Sequence, residues 1–349
     1  MDKLLKELLE APGISGCEED VAKIMKRELA KYCDEVKIDN FGNVIARKGT
    51  GKGKKKIMIA AHMDEIGFAV KHVTPNGFIY FIKVGGIADM VIPAQRVVIK
   101  AKKGDVIGVI GTKPPHLMSP EESKKLVPYT NMFIDIGCKT KEEVLEKVEI
   151  GDQIIFEPNS GVLNKDIYYG KAVDNRACCY EMIKVMETLA PVDADVYAVA
   201  TAQEEVGLKG ARTSSFSIDP DFAIILDTTI AGDVPGIEDK VSALKIGDGI
   251  AITMIEASGR GTIVNNKVRR LMIDTAKENK IKHQVDIVSG GMTDGAVIYM
   301  NRSGILTAIL SLATRYLHAA TSVFDINDLK EGVKLTQKII EKIAKGKAL

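Results

Sequence analysis

The alternation of apolar and polar positions divides the chain into two kinds of segment. Before about residue 70 and after about residue 168, short continuous apolar runs alternate with stretches in which apolar residues recur every three or four positions. The continuous runs are typical of strands buried on both faces, and the periodic stretches are typical of helices. Strands that alternate with helices predict an α/β fold, with a mixed, largely parallel sheet flanked by helices.

The same pattern gives the predicted elements of this α/β part. The predicted strands are Val36–Ile38, Val44–Ala46, Ile57–Ala61, Val196–Thr201, Phe222–Leu226, Ile250–Met254, Gln284–Val288 and Ile305–Leu310. The predicted helices are Leu4–Leu9, Glu18–Tyr32, Ala172–Leu189, one that begins within Gly207–Ser215, Asn265–Asn279 and Ile326–Ala344. Pro12 and Gly13 separate the first two helices.

The middle of the chain has a different pattern. Short β-rich runs alternate there with turns that contain Gly, Pro and Lys, a spacing typical of a small all-β module. The β-rich runs are Phe78–Val84, Arg96–Lys100, Val106–Ile110 and Ile154–Phe156. We predict a small β-barrel domain over residues 70–167, inserted between the halves 1–69 and 168–349 of one discontinuous catalytic domain.

Ionisable side chains follow several predicted strands at their carboxyl ends. His62 directly follows one strand, Glu204 and Glu205 follow a second, and Asp227 directly follows a third. His318 comes a few residues after the last strand. Because open α/β sheets bind ligands beyond the carboxyl ends of their strands, we expect these side chains to meet at one edge of the sheet.

Each of these residues has an ordinary structural explanation when it is taken alone. An aspartate before a helix, such as Asp174, commonly caps the helix, and an aspartate after a strand, such as Asp227, commonly begins a turn. Their joint occurrence with two histidines and Glu205 indicates a metal site instead. Imidazole and carboxylate together suit zinc, cobalt or manganese. Three carboxylates carry too much charge for one ion, which indicates two divalent ions with a bridging carboxylate.

Composition excludes several other classes of protein. The 349 residues include 48 Lys and Arg against 47 Asp and Glu, so no basic excess indicates a nucleic-acid partner. No apolar stretch reaches the roughly 18 residues of a membrane span, and the charged N-terminus lacks the apolar core of a signal peptide. We therefore expect a cytoplasmic protein with no membrane partner. Five cysteines without a C-x-x-C pair indicate neither a disulfide framework nor a zinc ribbon.

Six segments of the chain resemble the tetrahedral (TET) aminopeptidases. They occur in the same order over essentially the whole chain: Ala61–Phe68, Ala172–Arg176, Thr201–Gly207, Leu226–Thr228, Gly291–Gly295 and Arg315–His318. The resemblance implies a zinc-exopeptidase-like fold and a metal-dependent aminopeptidase that hydrolyses N-terminal residues from short peptides. It also implies a homo-oligomer, a hollow tetrahedral dodecamer to whose subunit contacts the inserted domain contributes.

The resemblance implies a metal-binding role for five residues. His62 and Asp227 would bind one ion, Glu205 and His318 would bind the other, and Asp174 would bridge the two. The ions would be Zn²⁺ or Co²⁺, two per subunit.

Four further residues receive roles from the same resemblance. Glu204 would be the general base for water activated by the two metals. Asp64 would orient His62 through the other N–H of its ring. Thr293 and Asp294 are expected to line the substrate pocket. The segment Ala319–Val323 departs from the family pattern of Ser-Pro followed by an acidic residue, which bears on pocket detail and substrate preference.

Three alternative functions remain open at this point. The same metal scaffold could serve a deacylase or carboxypeptidase, which would need N-acyl or C-terminal recognition. A glycosidase would use Glu204 and a second carboxylate without metal, and would leave both histidines unexplained. A non-catalytic metal-bearing assembly protein would not need Glu204 beside its ligands.

Overall fold

A computed structural model describes residues 1–53 and 55–346, and the helices and strands of this part follow. The helices are α1 (Lys3–Glu10), α2 (Glu19–Leu29), α3 (Lys141–Leu145), α4 (Val173–Thr188), α5 (Lys209–Ile218), α6 (Asn266–Glu278), α7 (Gly295–Ile298) and α8 (Ile326–Ala344). The strands are β1 (Glu35–Ile38), β2 (Val44–Lys48), β3 (Lys56–His62), β4 (Gly67–Val73), β5 (Phe78–Val84), β6 (Arg96–Ala101), β7 (Gly104–Gly111), β8 (Phe133–Asp135), β9 (Gln153–Phe156), β10 (Ser160–Asn164), β11 (Ile167–Gly170), β12 (Asp195–Thr201), β13 (Phe222–Ile230), β14 (Ile250–Ile255), β15 (His283–Ile287), β16 (Leu306–Thr314) and β17 (Ser322–Asp325).

A mixed eight-stranded sheet forms the centre of the fold, in the order β1-β2-β12-β3-β13-β16-β14-β15. The four central strands β12, β3, β13 and β16 are parallel. Their apolar runs are buried on both faces, as expected for parallel strands that lie between helices. The predicted α/β class is therefore confirmed, and the carboxyl ends of the four strands lie at one edge.

A closed antiparallel barrel occupies the middle of the chain, in the order β4-β5-β8-β7-β6-β9. Phe68, Phe81 and Phe156 pack edge to face in its core. Its strands lie between Gly67 and Phe156, and the predicted β-rich runs are all strands. A small sheet of β10, β11 and β17 follows it. The domain boundaries at 69/70 and 167/168 stay a prediction.

The structure corrects the predicted ends of two strands beside the site. β13 continues four residues beyond Leu226, so Asp227 lies within the strand and does not begin a turn. β16 likewise continues to Thr314. The two extensions pair with each other, and the β-branched Thr228 and Thr229 favour this extended backbone. Among the described residues, every helix is too short or too polar to span a lipid bilayer.

Candidate metal centre

The predicted metal ligands meet at the carboxyl edge of the central sheet. His62 is the last residue of β3, Asp227 lies in the neighbouring β13, and Glu205 lies in the loop after β12. Asp174 belongs to the first turn of α4, where its backbone is not helical (φ −78°, ψ 105°). His318 lies in the loop between β16 and β17. All five line one cavity.

Asp174 lies between the two histidines and presents one oxygen to each. Its Oδ1 lies 3.1 Å from Nε2 of His62, and its Oδ2 lies 3.3 Å from Nε2 of His318. Burial raises the pKa of Asp174, but the hydrogen bonds from His318 and His62 outweigh burial, so the pKa lies below its ordinary value. A carboxylate whose two oxygens face two imidazoles has the geometry of a bridging ligand.

The remaining acids complete one cluster around each histidine. Nε2 of His62 lies 3.7 Å from Oδ1 of Asp227 and 3.9 Å from Oε2 of Glu204. Nε2 of His318 lies 3.6 Å from Oε1 of Glu205. Two groups, His62 with Glu204 and Asp227, and His62 with Asp174 and Glu205, each offer ligand atoms within 4.8 Å of one another. Imidazole nitrogens and carboxylate oxygens at this spacing fit divalent transition-metal ions.

Both imidazoles are oriented by backbone carbonyl groups. Nδ1 of His62 lies 3.1 Å from the carbonyl oxygen of Asp64, and Nδ1 of His318 lies 2.7 Å from that of Gly86. Because a carbonyl oxygen can only accept, each Nδ1 carries a proton, so Nε2 of each ring is the nitrogen that would bind a metal ion. Gly86 follows the barrel strand β5, so the β-barrel contributes directly to the orientation of one ligand.

Asp64 holds the glutamate loop more closely than it holds the histidine. Its Oδ1 lies 3.5 Å from Nδ1 of His62, while its backbone carbonyl oxygen lies nearer, at 3.1 Å, and its role in orienting His62 stays a prediction. The Asp64 carboxylate instead accepts hydrogen bonds from the backbone N–H of Glu204 (2.9 Å) and Glu205 (3.1 Å) and from the hydroxyl of Ser15 (2.6 Å). It therefore fixes the positions of both glutamates.

The crowded carboxylates perturb one another. Burial and the neighbouring Asp174 raise the pKa of Glu205 to about 7. Burial also raises the pKa of Glu204 and of Asp227 well above the usual range. The pKa of His318 is raised to about 9, because its hydrogen bond to Asp174 and the charge of Glu205 outweigh the effect of burial. Positive charge from divalent ions would relieve the repulsion among these acids.

A buried ionic network joins the two segments that carry His62 and Asp174. Nζ of Lys171 donates to both oxygens of Glu65 (2.7 and 2.8 Å) and to the carbonyl oxygen of Ala11 (3.0 Å). Arg176 donates to the carbonyl oxygens of Met63, Leu8 (3.0 Å), Ala11 (3.1 Å) and Gly13 (3.2 Å). Burial lowers the pKa of Lys171 to about 8. Sequence reasoning missed this network, which fixes both ligand segments against the loop after α1.

The cavity that contains the cluster has a volume of about 910 Å³. Thr293 lines it, as predicted, but Asp294 does not. The Asp294 carboxylate is buried behind the wall, where it accepts a 2.5 Å hydrogen bond from the hydroxyl of Thr201. Glu256 and Asp286 also line the cavity, and neither was expected there from the sequence.

Comparison with known proteins identifies the family. The sequence pattern of the M42 glutamyl aminopeptidase family matches residues 42–335. The chain belongs to this family. It is 34% identical to the lysyl aminopeptidase of Pyrococcus furiosus over 346 residues, which is 98% of this chain and 97% of the relative.

Two solved structures show the same fold. A TET aminopeptidase from a marine sediment archaeon (Thaumarchaeota) has a TM-score of 0.95 at 35% identity and covers 99% of this chain and 97% of its own. The TET1 peptidase of Pyrococcus horikoshii, described as assembling into a tetrahedron or a large octahedral shell, has a TM-score of 0.85 at 33% identity, with 97% and 98% covered. The predicted family is confirmed, the chain is a hydrolase of the aminopeptidase class, and membership implies divalent metal ions in its site.

Proposed function

We propose that the protein removes the N-terminal residue from short peptides at a centre of two divalent ions, Zn²⁺ or Co²⁺. The observation that carries the proposal is the position of Asp174, whose two oxygens face Nε2 of His62 and of His318 at 3.1 and 3.3 Å. A side chain that only capped a helix would hydrogen-bond to backbone N–H groups of the first turn. Among the described residues, no backbone N–H donates to the Asp174 carboxylate, which faces the two histidines instead.

The cluster divides into two ligand sets that share Asp174. His62 and Asp227 would hold one ion, and Glu205 and His318 would hold the other. When bound, two ions of this kind lower the pKa of a water molecule toward neutrality and polarise the scissile carbonyl group. The Nδ1–H groups of both histidines, held by backbone carbonyls, keep the coordinating nitrogens aimed at the ions.

Glu204 has the position required of a general base. It lies beside the ligand set of His62 and Asp227, lines the cavity and is otherwise buried. Its backbone N–H is held by Asp64, which fixes where the carboxylate points. In this proposal Glu204 takes a proton from the attacking water and passes it to the leaving amine. Glu204 and Glu205 therefore have separate tasks although they are adjacent in sequence.

Restriction to the N-terminus follows from the shape and charge of the cavity. Its volume lies in the range of sites that enclose one or a few residues of a ligand. The free α-amine of a peptide would lie beside an acidic ligand or an ion of the centre, and an N-acyl group would block that contact. A deacylase or carboxypeptidase would need a cationic group for a substrate carboxylate. Among the described residues, one cationic side chain lines this cavity outside the metal cluster. It is Arg212, which is exposed.

Self-assembly forms the second part of the proposal. Residues 70–167 expose several large apolar side chains, on a barrel strand and in the connections between the strands: Met90 (71% exposed), Leu117 (69%), Ile107 (61%), Leu126 (61%) and Ile150 (58%). Exposed apolar groups at this density favour a protein interface. We expect residues 70–167 to act as an assembly domain in a homo-oligomer, a dodecamer by likeness to the tetrahedral relatives, which light scattering on the purified protein can measure.

One comparison of substrates tests the proposed reaction. The metal-loaded protein should hydrolyse unblocked amino-acid anilides and should leave their N-acetylated counterparts intact. Prolonged chelation should abolish the activity, and zinc or cobalt should restore it. Preference for the blocked substrate would favour a deacylase, and activity that survives chelation would contradict the metal mechanism.

A further inference from the structure

One buried carboxylate of the cavity wall has no cationic partner. Asp286 lies on β15, is only 9% exposed and lines the cavity outside the metal cluster. Its Oδ2 accepts a 2.8 Å hydrogen bond from the hydroxyl of Thr229. Among residues 1–53 and 55–346, no lysine, arginine or histidine forms an ion pair with it. Burial raises the pKa of Asp286, as expected for an acid without a neighbouring cation.

The other charged groups of the wall are already satisfied or lie in solvent. Glu256 is buried, and its two oxygens accept hydrogen bonds of 3.1 Å from the backbone N–H groups of Thr262 and Thr293. Arg212 is exposed, so water and salt screen its charge. Among the charged groups of the wall, Asp286 would therefore be stabilised most by a ligand of opposite charge.

The metal cluster has no net positive charge that could pair with Asp286. Two divalent ions would balance the four carboxylates of Asp174, Glu204, Glu205 and Asp227, with both histidines neutral. The charge that a substrate side chain meets beyond the cluster is then set by Asp286 and Glu256 within the wall and by Arg212 outside it, and of the two acids only Glu256 is held by backbone N–H groups on both oxygens. Because the buried charge is screened less, the wall favours a cation.

The distance from the cluster to Asp286 suits a long side chain. Thr229 lies two residues beyond Asp227 on β13, so both side chains leave the same face of the strand about 6.6 Å apart. Asp286 is hydrogen-bonded to Thr229, so its distance from the cluster is about the length of one extended lysine or arginine side chain. Ile287 and Met292 line the same cavity and are exposed to it, and they can pack against an aliphatic stem.

We infer that the cavity selects peptides whose N-terminal residue is lysine or arginine, and that Asp286 determines this preference. The inference rests on the proposed aminopeptidase function. A basic side chain gives Asp286 a charge-assisted hydrogen bond, and apolar walls hold its stem. A leucine side chain leaves the buried carboxylate with the hydroxyl of Thr229 but without a cation, and a glutamate side chain adds a like charge.

The experiment compares kcat/KM for lysine, arginine, leucine and glutamate p-nitroanilides with zinc- or cobalt-loaded protein. We expect the wild type to prefer lysine and arginine over leucine by about tenfold or more, and glutamate to be poorest. Asp286→Asn should lower the ratio of lysine to leucine by about 10- to 100-fold, the range for loss of a hydrogen bond to a charged group. Asp286→Ser gives a second reading if the first variant does not fold.

Two matched variants show whether the effect belongs to Asp286. Glu256→Gln changes a buried carboxylate that backbone N–H groups already satisfy, and it should keep the lysine-to-leucine ratio within about twofold. Arg212→Gln should raise kcat/KM for the lysine and arginine anilides by no more than about twofold. A wild type that prefers leucine or glutamate, or an unchanged ratio in both Asp286 variants, would overturn the inference. A wild type that cleaves none of the four anilides would instead overturn the proposed function.

Discussion

Oδ1 of Asp174 lies 3.1 Å from Nε2 of His62, although 112 residues separate them in the sequence. The contact forms because the first turn of α4 and the end of β3 reach the same edge of the sheet. The second oxygen of Asp174 faces His318. The Asp174 carboxylate therefore joins the ligands around His62 and those around His318 into one centre. The variants below test what each neighbouring group contributes to this centre.

Replacing the proposed base should separate chemistry from metal binding. Glu204→Gln keeps the size of the side chain but cannot take up a proton. Turnover of an unblocked anilide should fall by about 10²- to 10⁴-fold, the usual contribution of a general base. Metal content, measured on the same sample by mass spectrometry, should stay that of the wild type.

Glu205→Gln is the matched control for this variant, since the two glutamates are adjacent and both buried. Glu205 is a proposed ligand, so its replacement should lower metal content as well as turnover. If Glu204→Gln turned over substrate at nearly the wild-type rate, the base would have to be another group.

The buried pair of Lys171 and Glu65 should act on metal affinity. Lys171→Met alone would leave buried Glu65 with only its 3.6 Å contact to Arg176, at a cost of at most about 3–5 kcal/mol in the free energy of unfolding. The double variant Lys171→Met/Glu65→Gln avoids that charge but still releases both ligand segments. We expect the double variant to bind metal about 10- to 100-fold more weakly, as is usual for groups that support ligands.

Lys48→Met provides the control for this effect. Nζ of Lys48 donates to the carbonyl oxygens of Met186 and Leu189, both at 2.9 Å, at the opposite end of α4. Its loss should lower stability without a change in metal affinity, which titration calorimetry measures on folded protein. Equal affinities for this control and the double variant would mean that the Lys171 network only supports the fold.

The parts of the fold and site that follow from local patterns were predictable. Apolar runs marked the central strands, and the ionisable residues after them marked the edge where His62, Glu204 and Glu205 meet. The carbonyl of Gly86 could not be predicted, because a backbone group has no sequence signature. The pairing of Lys171 with Glu65 was equally hidden, since partners 106 residues apart leave no local periodicity.

Other misses had a signal that could have been used. Thr228 and Thr229 are β-branched and continue an apolar run, which favours the longer β13 that the structure has. Asp294 was expected to line the pocket from the family resemblance, but its carboxylate is buried and accepts a hydrogen bond from the hydroxyl of Thr201. The family match supports the assigned class of enzyme, whereas the roles of individual residues stay predictions for the variants proposed here.

Glu181 should make the stability of the protein depend on pH. It lies fully buried in α4, and neither carboxylate oxygen has a hydrogen-bond partner among the described residues. Burial raises its pKa well above 4.5, so the folded protein keeps a proton that the unfolded chain releases. The free energy of unfolding should therefore fall as pH rises above about 4.5, by at most about 1.4 kcal/mol per pH unit from this group, until the folded-state pKa is reached.

Glu181→Gln should remove this part of the pH dependence, so its gain in stability over the wild type should grow over the pH range above about 5. Denaturant unfolding at fixed metal concentration measures the difference. Glu187→Gln is the control on the same helix, because Glu187 is partly exposed and ion-paired with Lys184 at 2.8 Å. A constant difference between Glu181→Gln and the wild type across this pH range would show that Glu181 does not hold a proton in the folded state.

The count of metal ions per chain tests the two-metal centre most directly. Protein loaded with zinc or cobalt, freed of excess metal and measured by mass spectrometry should carry two ions per chain. His318→Ala should carry about one, and Asp174→Ala should lose both to mild chelation before the wild type loses either. A single ion in the wild type, or two firmly bound ions in Asp174→Ala, would contradict a centre in which this carboxylate bridges two metals.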